Sequence, residues 1–231
     1  MVRRPGIDLK RALLDLVVPE RCTACGEAET ILCSPCRNAL PVLRGPLCAR
    51  CGAPTAWPVE RCSECAGRRL AFRSARAAVA YEGAVRVLVA AWKERGLRSL
   101  AGAFAELVVA TVPPPSARAV TFVPGDGDRS RWRGQNAPEA LAALLAERWQ
   151  LPLLPLLARR GRVPRQRGLA RAARRANVRG TLEATRSAPR AIALVDDVYT
   201  TGATVAAAAA ELRRAGARDV YVITFARAVR R

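Results

Sequence analysis

Residues 192–204 read Ile-Ala-Leu-Val-Asp-Asp-Val-Tyr-Thr-Thr-Gly-Ala-Thr, an apolar run that ends in two carboxylates and passes straight into a hydroxyl-rich turn. The stretch 191–195 is β-branched enough for a central strand of a parallel sheet, and open α/β sheets bind ligands at the carboxyl ends of such strands. The alanine-rich stretch 203–215 suits a helix, whose N-terminus presents unpaired N–H groups and a positive dipole end to an anion in the turn. Gly202 lets the backbone approach a ligand closely or take a positive φ. Asp196 and Asp197 can accept from vicinal hydroxyls, while Thr200, Thr201, Gly202, Ala203 and Thr204 offer hydroxyls and amides to phosphoryl oxygens. The order points to a sugar phosphate as ligand. The plain alternative is a strand-turn-helix corner whose acids merely cap the helix.

Eight cysteines fall as four Cys-x-x-Cys pairs, Cys22/Cys25, Cys33/Cys36, Cys48/Cys51 and Cys62/Cys65, and none occurs later. Two residues between thiolates let both sulfurs reach one tetrahedral ion, and two pairs complete a four-sulfur zinc shell. The chain has no histidine, so sulfur is the zinc ligand and two structural zinc ions are expected. Sequential pairing closes the shorter loops; a cross-braced arrangement is the alternative. A disulfide framework requires export. Asp8, Lys10, Arg11 and Asp15 interrupt what would be the apolar core of a signal peptide, which favours zinc and a cytoplasmic location. Reactive redox dithiols are the third reading. No apolar stretch is long enough to span a bilayer, so no membrane insertion is expected.

The net charge of +20 makes a polyanion the leading class of partner. Eleven arginines face the single acid Glu183 between positions 159 and 190, a local net of +10. Codon bias toward arginine accounts for the scarcity of lysine, only Lys10 and Lys93, but not for the excess of positive over negative charge.

Periodicity predicts a helix over 7–18 leading into the cysteine module, a strand over 76–81, and helices over 83–92 and 99–112 that stop at Pro113-Pro114-Pro115. Then follow a strand at 119–123, a helix at 138–149, strands at 153–156 and 191–195, a helix at 203–215 and a strand at 219–225. The expected division is a helix and cysteine module over 1–70 and an α/β domain over 71–231. The module is too poor in large apolar residues to build a core without metal. The segment between Leu157 and Ala191 lacks periodicity of its own, as a lid or binding loop would.

The 192–204 segment closely resembles the PRPP (phosphoribosyl pyrophosphate) motif of type I phosphoribosyltransferases. Tyr81-Glu-Gly-Ala-Val-Arg with Trp92-Lys93, Val123-Pro124 with Arg131-Trp132-Arg133-Gly134-Gln135-Asn136, and Gln166 and Leu169 with residues 174–180 resemble the ComF/ComFC family. With the cysteine pairs, this likeness covers nearly the whole chain from Cys22 to Arg227. It implies a type I phosphoribosyltransferase-like parallel sheet with helices on both faces, behind a zinc finger. It further implies Mg²⁺ with PRPP, single-stranded DNA as partner, and a place beside DNA-uptake or recombination machinery. Asp196 and Asp197 would contact the ribose hydroxyls and residues 200–204 the 5′-phosphate. Arg131, Arg133 and Gly134 would contact pyrophosphate. The chain departs from the family there, with Gly125-Asp126-Gly127-Asp128 after Val123-Pro124 and with Gln135-Asn136-Ala137 where relatives carry Phe-Asn-Gln; the family's histidine is also missing.

The resemblance leaves open whether pentosyl transfer occurs. The rival reading is a non-catalytic, zinc-containing single-stranded-DNA-binding protein on the same fold. It would use the phosphate cradle and Arg171, Arg174, Arg175 and Arg179 for a DNA backbone, with Trp57, Trp92, Trp132 and Trp149 available for stacking and Trp132 the favoured one. No Gly-x-x-x-x-Gly-Lys-Ser/Thr loop is present, which argues against a small-molecule kinase.

Overall fold

The fold is taken from a computed structural model and is described for residues 21–28, 30–125, 136–160 and 181–229. The expected helix over 7–18 lies outside these residues. The chain divides into two compact units, 1–40 and 41–231. In the first, Arg21 bridges Ala28 across a tight turn and a five-residue helix, α1 (Ser34–Asn38), opens with Pro35 in its first turn. Proline suits that place because the first-turn N–H groups have no helical partner.

The second unit is built on β1 (Ser74–Ala80), β2 (Val120–Phe122), β5 (Ala191–Tyr199) and β6 (Asp219–Arg227), paired in parallel in the order β1-β6-β5-β2. Parallel strands need crossovers, which α2 (Gly83–Glu94), α3 (Leu100–Thr111), α4 (Ala137–Arg148) and α5 (Ala203–Arg214) supply. Alternation along β5 and β6 sends side chains to both faces. Ile192, Leu194, Val220 and Val222 share one cluster with Val205, Ala208, Ala209 and Leu212 of α5. On the opposite face Phe225 stacks on Phe104 of α3, with centroids 3.7 Å apart, and Phe104 meets Trp92 of α2 edge-on at 5.1 Å. The strands are buried on both sides, as their apolar sequences require.

The second cysteine cluster belongs to this unit. Cys48, Cys51 and Cys65 are buried in the same cluster as α5 and β5, together with Leu70 and Phe72. The turn at Gly52 lies so close to β1 that a Cβ there would sit 2.4 Å from the Ala75 carbonyl oxygen, and its φ is +69°. Only glycine fits that approach. Ala75 in turn donates its N–H to the Arg50 carbonyl at 2.9 Å.

Two expectations are corrected. No strand forms at 153–156; Leu153 makes a single parallel bridge to Val120. Leu154 N–H donates to the Val120 carbonyl at 2.8 Å, but Leu156 N–H turns to the Thr121 hydroxyl at 3.3 Å, so the ladder does not continue. Instead the chain forms an antiparallel ribbon of β3 (Leu157–Arg159) and β4 (Leu182–Ala184), which brackets the segment read from sequence as an aperiodic loop. Strand β5 also outruns its apolar stretch. Its pairing to β6 continues through Asp196 opposite Thr224 as far as Tyr199 opposite Arg227, so the acid pair lies within the strand.

Candidate functional site

The eight thiols gather sequentially, Cys22, Cys25, Cys33 and Cys36 in one group and Cys48, Cys51, Cys62 and Cys65 in the other, with all four sulfurs of each group within 4.8 Å of one another. Neighbouring sulfurs stand 3.7 Å apart in Cys25–Cys33, 3.6 Å in Cys48–Cys65 and 3.5 Å in Cys51–Cys62. Zinc–sulfur bonds of about 2.3 Å in a tetrahedron put sulfurs about 3.8 Å apart, whereas a disulfide needs about 2 Å. The spacing is that of two four-sulfur zinc sites. Backbone amides add to each: Cys33 N–H donates to Cys22 Sγ at 3.4 Å and Cys62 N–H to Cys48 Sγ at 3.3 Å. Burial opposes ionisation of Cys22 and Cys48, but the amides around them prevail and hold both thiols down to about 6. Thiolates are the form that binds metal.

The acid pair lines a cleft of about 450 Å³. Strand β5 contributes Asp196, Asp197 and Val198, the following turn Thr200 and Thr204, the end of α2 Lys93, and the segment after β2 Val123, Pro124 and Gly125. Asn136, Ala137 and Pro138, where α4 begins, complete one wall, and Arg159 of β3 another. Arg159 Nε donates to the carbonyls of Pro124 at 3.0 Å and Gly125 at 3.1 Å, tying β3 to the segment after β2. The starts of α4 and α5 both border the cleft, and each brings a positive dipole end.

Both aspartates are buried, yet their surroundings differ. Asp197 Oδ2 meets Lys93 Nζ at 2.5 Å. Burial first, and then the Asp197 charge beside it, push the Asp196 carboxyl up to about 8. Lys93 is itself raised, because its Asp197 partner outweighs burial. Near neutral pH Asp196 is therefore held largely in its neutral form, able to donate a hydrogen bond as well as accept one.

The turn that follows is built for close approach. Gly202 has φ +71° and caps α5 without a side-chain hydrogen bond. Thr201 Oγ1 accepts from Ala203 N–H at 3.3 Å, and the first helical bond runs from Ala206 N–H to the Gly202 carbonyl at 3.0 Å. The amides of Thr204 and Val205 lie in the first turn, where no helical acceptor exists. Thr200 is exposed, while Thr201, Ala203 and Thr204 are half-buried.

The structure thus gathers Asp196, Asp197, Thr200 and Thr204 at one cleft, with Thr201, Gly202 and Ala203 in the adjoining turn. Arg131, Arg133 and Gly134, the four arginines Arg171, Arg174, Arg175 and Arg179, and Trp132 lie outside the described residues. Trp92 is core, and Trp57 is the most exposed of the large apolar side chains described, at 68%. Sequence reasoning missed Lys93 and Arg159 as site residues. One signal was present: Lys93 is one of only two lysines in a chain that otherwise uses arginine.

Residues 13–66 match a family model described as a double zinc ribbon domain. A comparison with curated protein sequences finds no match. Among solved structures, one titled as the allosteric regulatory enzyme of purine biosynthesis is 24% identical over 55% of this chain and 25% of its own, with a TM-score of 0.39. Glutamine PRPP amidotransferase from B. subtilis, in complex with ADP and GMP, is 26% identical over 61% of this chain and 27% of its own, at 0.35. A protein from Thermus thermophilus is 22% identical over 55% of this chain and 72% of its own, at 0.31. The chain spans about a quarter of the length of the first two. Its own architecture is a parallel α/β sheet with helices as crossovers, preceded in the chain by residues that match a double zinc ribbon and carry two four-cysteine sites.

Proposed function

We propose that the cleft binds PRPP together with Mg²⁺, and that the protein is a phosphoribosyltransferase-like member of the ComF kind serving DNA uptake or DNA use. One observation carries the reading: a buried acid pair, a glycine-hinged threonine turn at a helix start, and a lysine converge on one cleft. Asp196 and Asp197 hold the ribose hydroxyls, and residues 200–204 hold the 5′-phosphate through hydroxyls and first-turn amides. Asn136, Gly125 and the start of α4, with Arg131, Arg133 and Gly134, serve the pyrophosphate end.

The donor set suits a hard cation. Asp196 and Asp197 are cleft carboxylates that would help hold Mg²⁺, which when bound would offset the negative charge of the pyrophosphate leaving group. If transfer occurs, the bond from ribose C1 to the pyrophosphate oxygen breaks with its electron pair leaving on pyrophosphate, and an acceptor's lone pair forms the new bond at C1. The protein's part is to position the ribose and to stabilise developing charge. Asp197 offsets the positive charge that grows on the sugar ring, and Lys93 holds Asp197 in place.

A second reading has its own support, the local net of +10 over 159–190. Single-stranded DNA would then run along this segment and offer its phosphates to the same cradle. Equilibrium binding of labelled PRPP in the presence of Mg²⁺ tests the first reading. Asp197→Asn should weaken PRPP at least tenfold, the loss expected of about 1.5–3 kcal/mol for a charge-assisted hydrogen bond. Equal affinity of the variant and the parent protein would refute the assigned role.

A further inference from the structure

The second zinc ribbon touches the phosphate turn through two arginines. Arg68 follows the Cys62–Cys65 pair by three residues, and the knuckle leads directly into it: Ala66 N–H donates to the Cys62 carbonyl at 2.8 Å and Arg68 N–H to the Cys65 carbonyl at 3.2 Å. From there the Arg68 guanidinium reaches across the fold, and its Nη2 donates to the carbonyl of Thr201 at 2.8 Å. Arg227, the last residue of β6, is 1% exposed. Its Nη1 donates to the carbonyl of Cys51, a zinc ligand, and its Nη2 lies 3.1 Å from Glu64 Oε2. Its Cζ stands 4.8 Å from the centroid of the Tyr199 ring. That ring packs edge-on against Phe72, and a Cβ at Gly202 would sit 2.3 Å from the Tyr199 hydroxyl. Two routes therefore run from the cluster of Cys48, Cys51, Cys62 and Cys65 to the turn, one to Thr201 and one to Gly202.

A buried guanidinium is costly unless its donors are met. The ribbon meets both Nη groups of Arg227, while Nε donates to its neighbour Ala228, so the guanidinium keeps its place against Tyr199 only while the ribbon keeps its shape. The Thr201 contact acts on the peptide that matters. In a trans peptide the C=O and N–H point in opposite directions, so fixing the Thr201 oxygen on the ribbon side fixes the Gly202 N–H away from it. We propose that Arg68 and Arg227 are positioning residues through which the second zinc ribbon sets the geometry of the phosphate turn. This rests on the sugar-phosphate reading of the cleft. The ribbon then acts on ligand affinity as well as on folding, and loss of its metal releases the turn.

The test compares two ligands by isothermal titration in Mg²⁺: ribose 5-phosphate, which uses the turn, and inorganic pyrophosphate, which does not. Arg68 is half-buried, so Arg68→Ala is the first variant. It should weaken ribose 5-phosphate at least tenfold, leave pyrophosphate affinity as in the parent protein and retain two zinc equivalents; Arg68→Lys should restore most of the loss. Glu64→Gln, which loosens Arg227 without emptying its site, should weaken ribose 5-phosphate about threefold. Unchanged ribose 5-phosphate affinity in Arg68→Ala, or equal weakening of both ligands, overturns the coupling while the sugar-phosphate reading stands. A parent protein that binds no ribose 5-phosphate overturns both.

Discussion

Asp196 and Asp197 are neighbours on one strand, and the chain treats them oppositely. Asp197 meets Lys93 at 2.5 Å, whereas burial and the Asp197 charge hold Asp196 up to about 8. The folded value of Asp196 thus lies above its ordinary 3.8. Stability from its neutral form is complete below that ordinary value and is lost as pH rises toward the folded one. Asp196→Asn removes this loss. The variant's melting temperature relative to the parent protein should rise between about pH 4 and about pH 8, by on the order of 2–4 °C for each kcal/mol relieved. A pH-independent difference, measured by calorimetry in matched buffers, would show that Asp196 is ionised throughout. The place of the acid pair, between an apolar strand and a glycine turn that opens a helix, was legible in sequence because the residue types follow in that order. Lys93 as a site residue was not, since the contact joins residues 104 positions apart and the rarity of lysine in this chain names no partner for it.

At the scale of elements, alternation and helix periodicity located every crossover helix among the described residues. They failed at 153–156, which has the composition of a strand but makes a single bridge to β2, because Leu156 N–H is taken by the Thr121 hydroxyl and the ladder stops there. They also stopped β5 at its last apolar residue, although pairing with β6 carries it on to Tyr199. Strand ends are set by the partner strand, which a local window does not see. The cysteine spacing announced two metal sites, but not that the second would be built into the sheet's core. Cys48, Cys51 and Cys65 are buried with Leu70, Phe72 and α5. Cys48→Ser should therefore cost one zinc equivalent and the cooperative melting of the sheet with it. Cys25→Ser, in the 1–40 unit, should cost one equivalent and leave that transition in place. Metal analysis beside circular dichroism distinguishes the two, and identical melting in both variants would refute a structural role for the second ribbon in the sheet's core.

For the whole molecule, the charge of +20 adds what the cleft does not explain. If the 159–190 segment binds single-stranded DNA through phosphates, log affinity falls linearly with log salt by about 0.7 for each phosphate neutralised. Replacing Arg171, Arg174, Arg175 and Arg179 together with glutamine should flatten that slope. A slope untouched by the four substitutions would leave those arginines as codon bias on a surface. Among the described residues no helix is long and apolar enough to cross a membrane. A glycine-hinged threonine turn, an acid pair and two zinc sites are thus joined in one chain with a strongly cationic segment. The claim on which the rest depends is that the turn of Thr200, Thr201, Gly202, Ala203 and Thr204 holds the 5′-phosphate of PRPP. Phosphorus NMR of PRPP resolves its 5′-phosphate from its pyrophosphate. On addition of stoichiometric protein in Mg²⁺, the 5′-phosphate resonance should shift and broaden, and the change should vanish in Gly202→Val. A 5′-phosphate resonance unmoved by the parent protein would contradict the account.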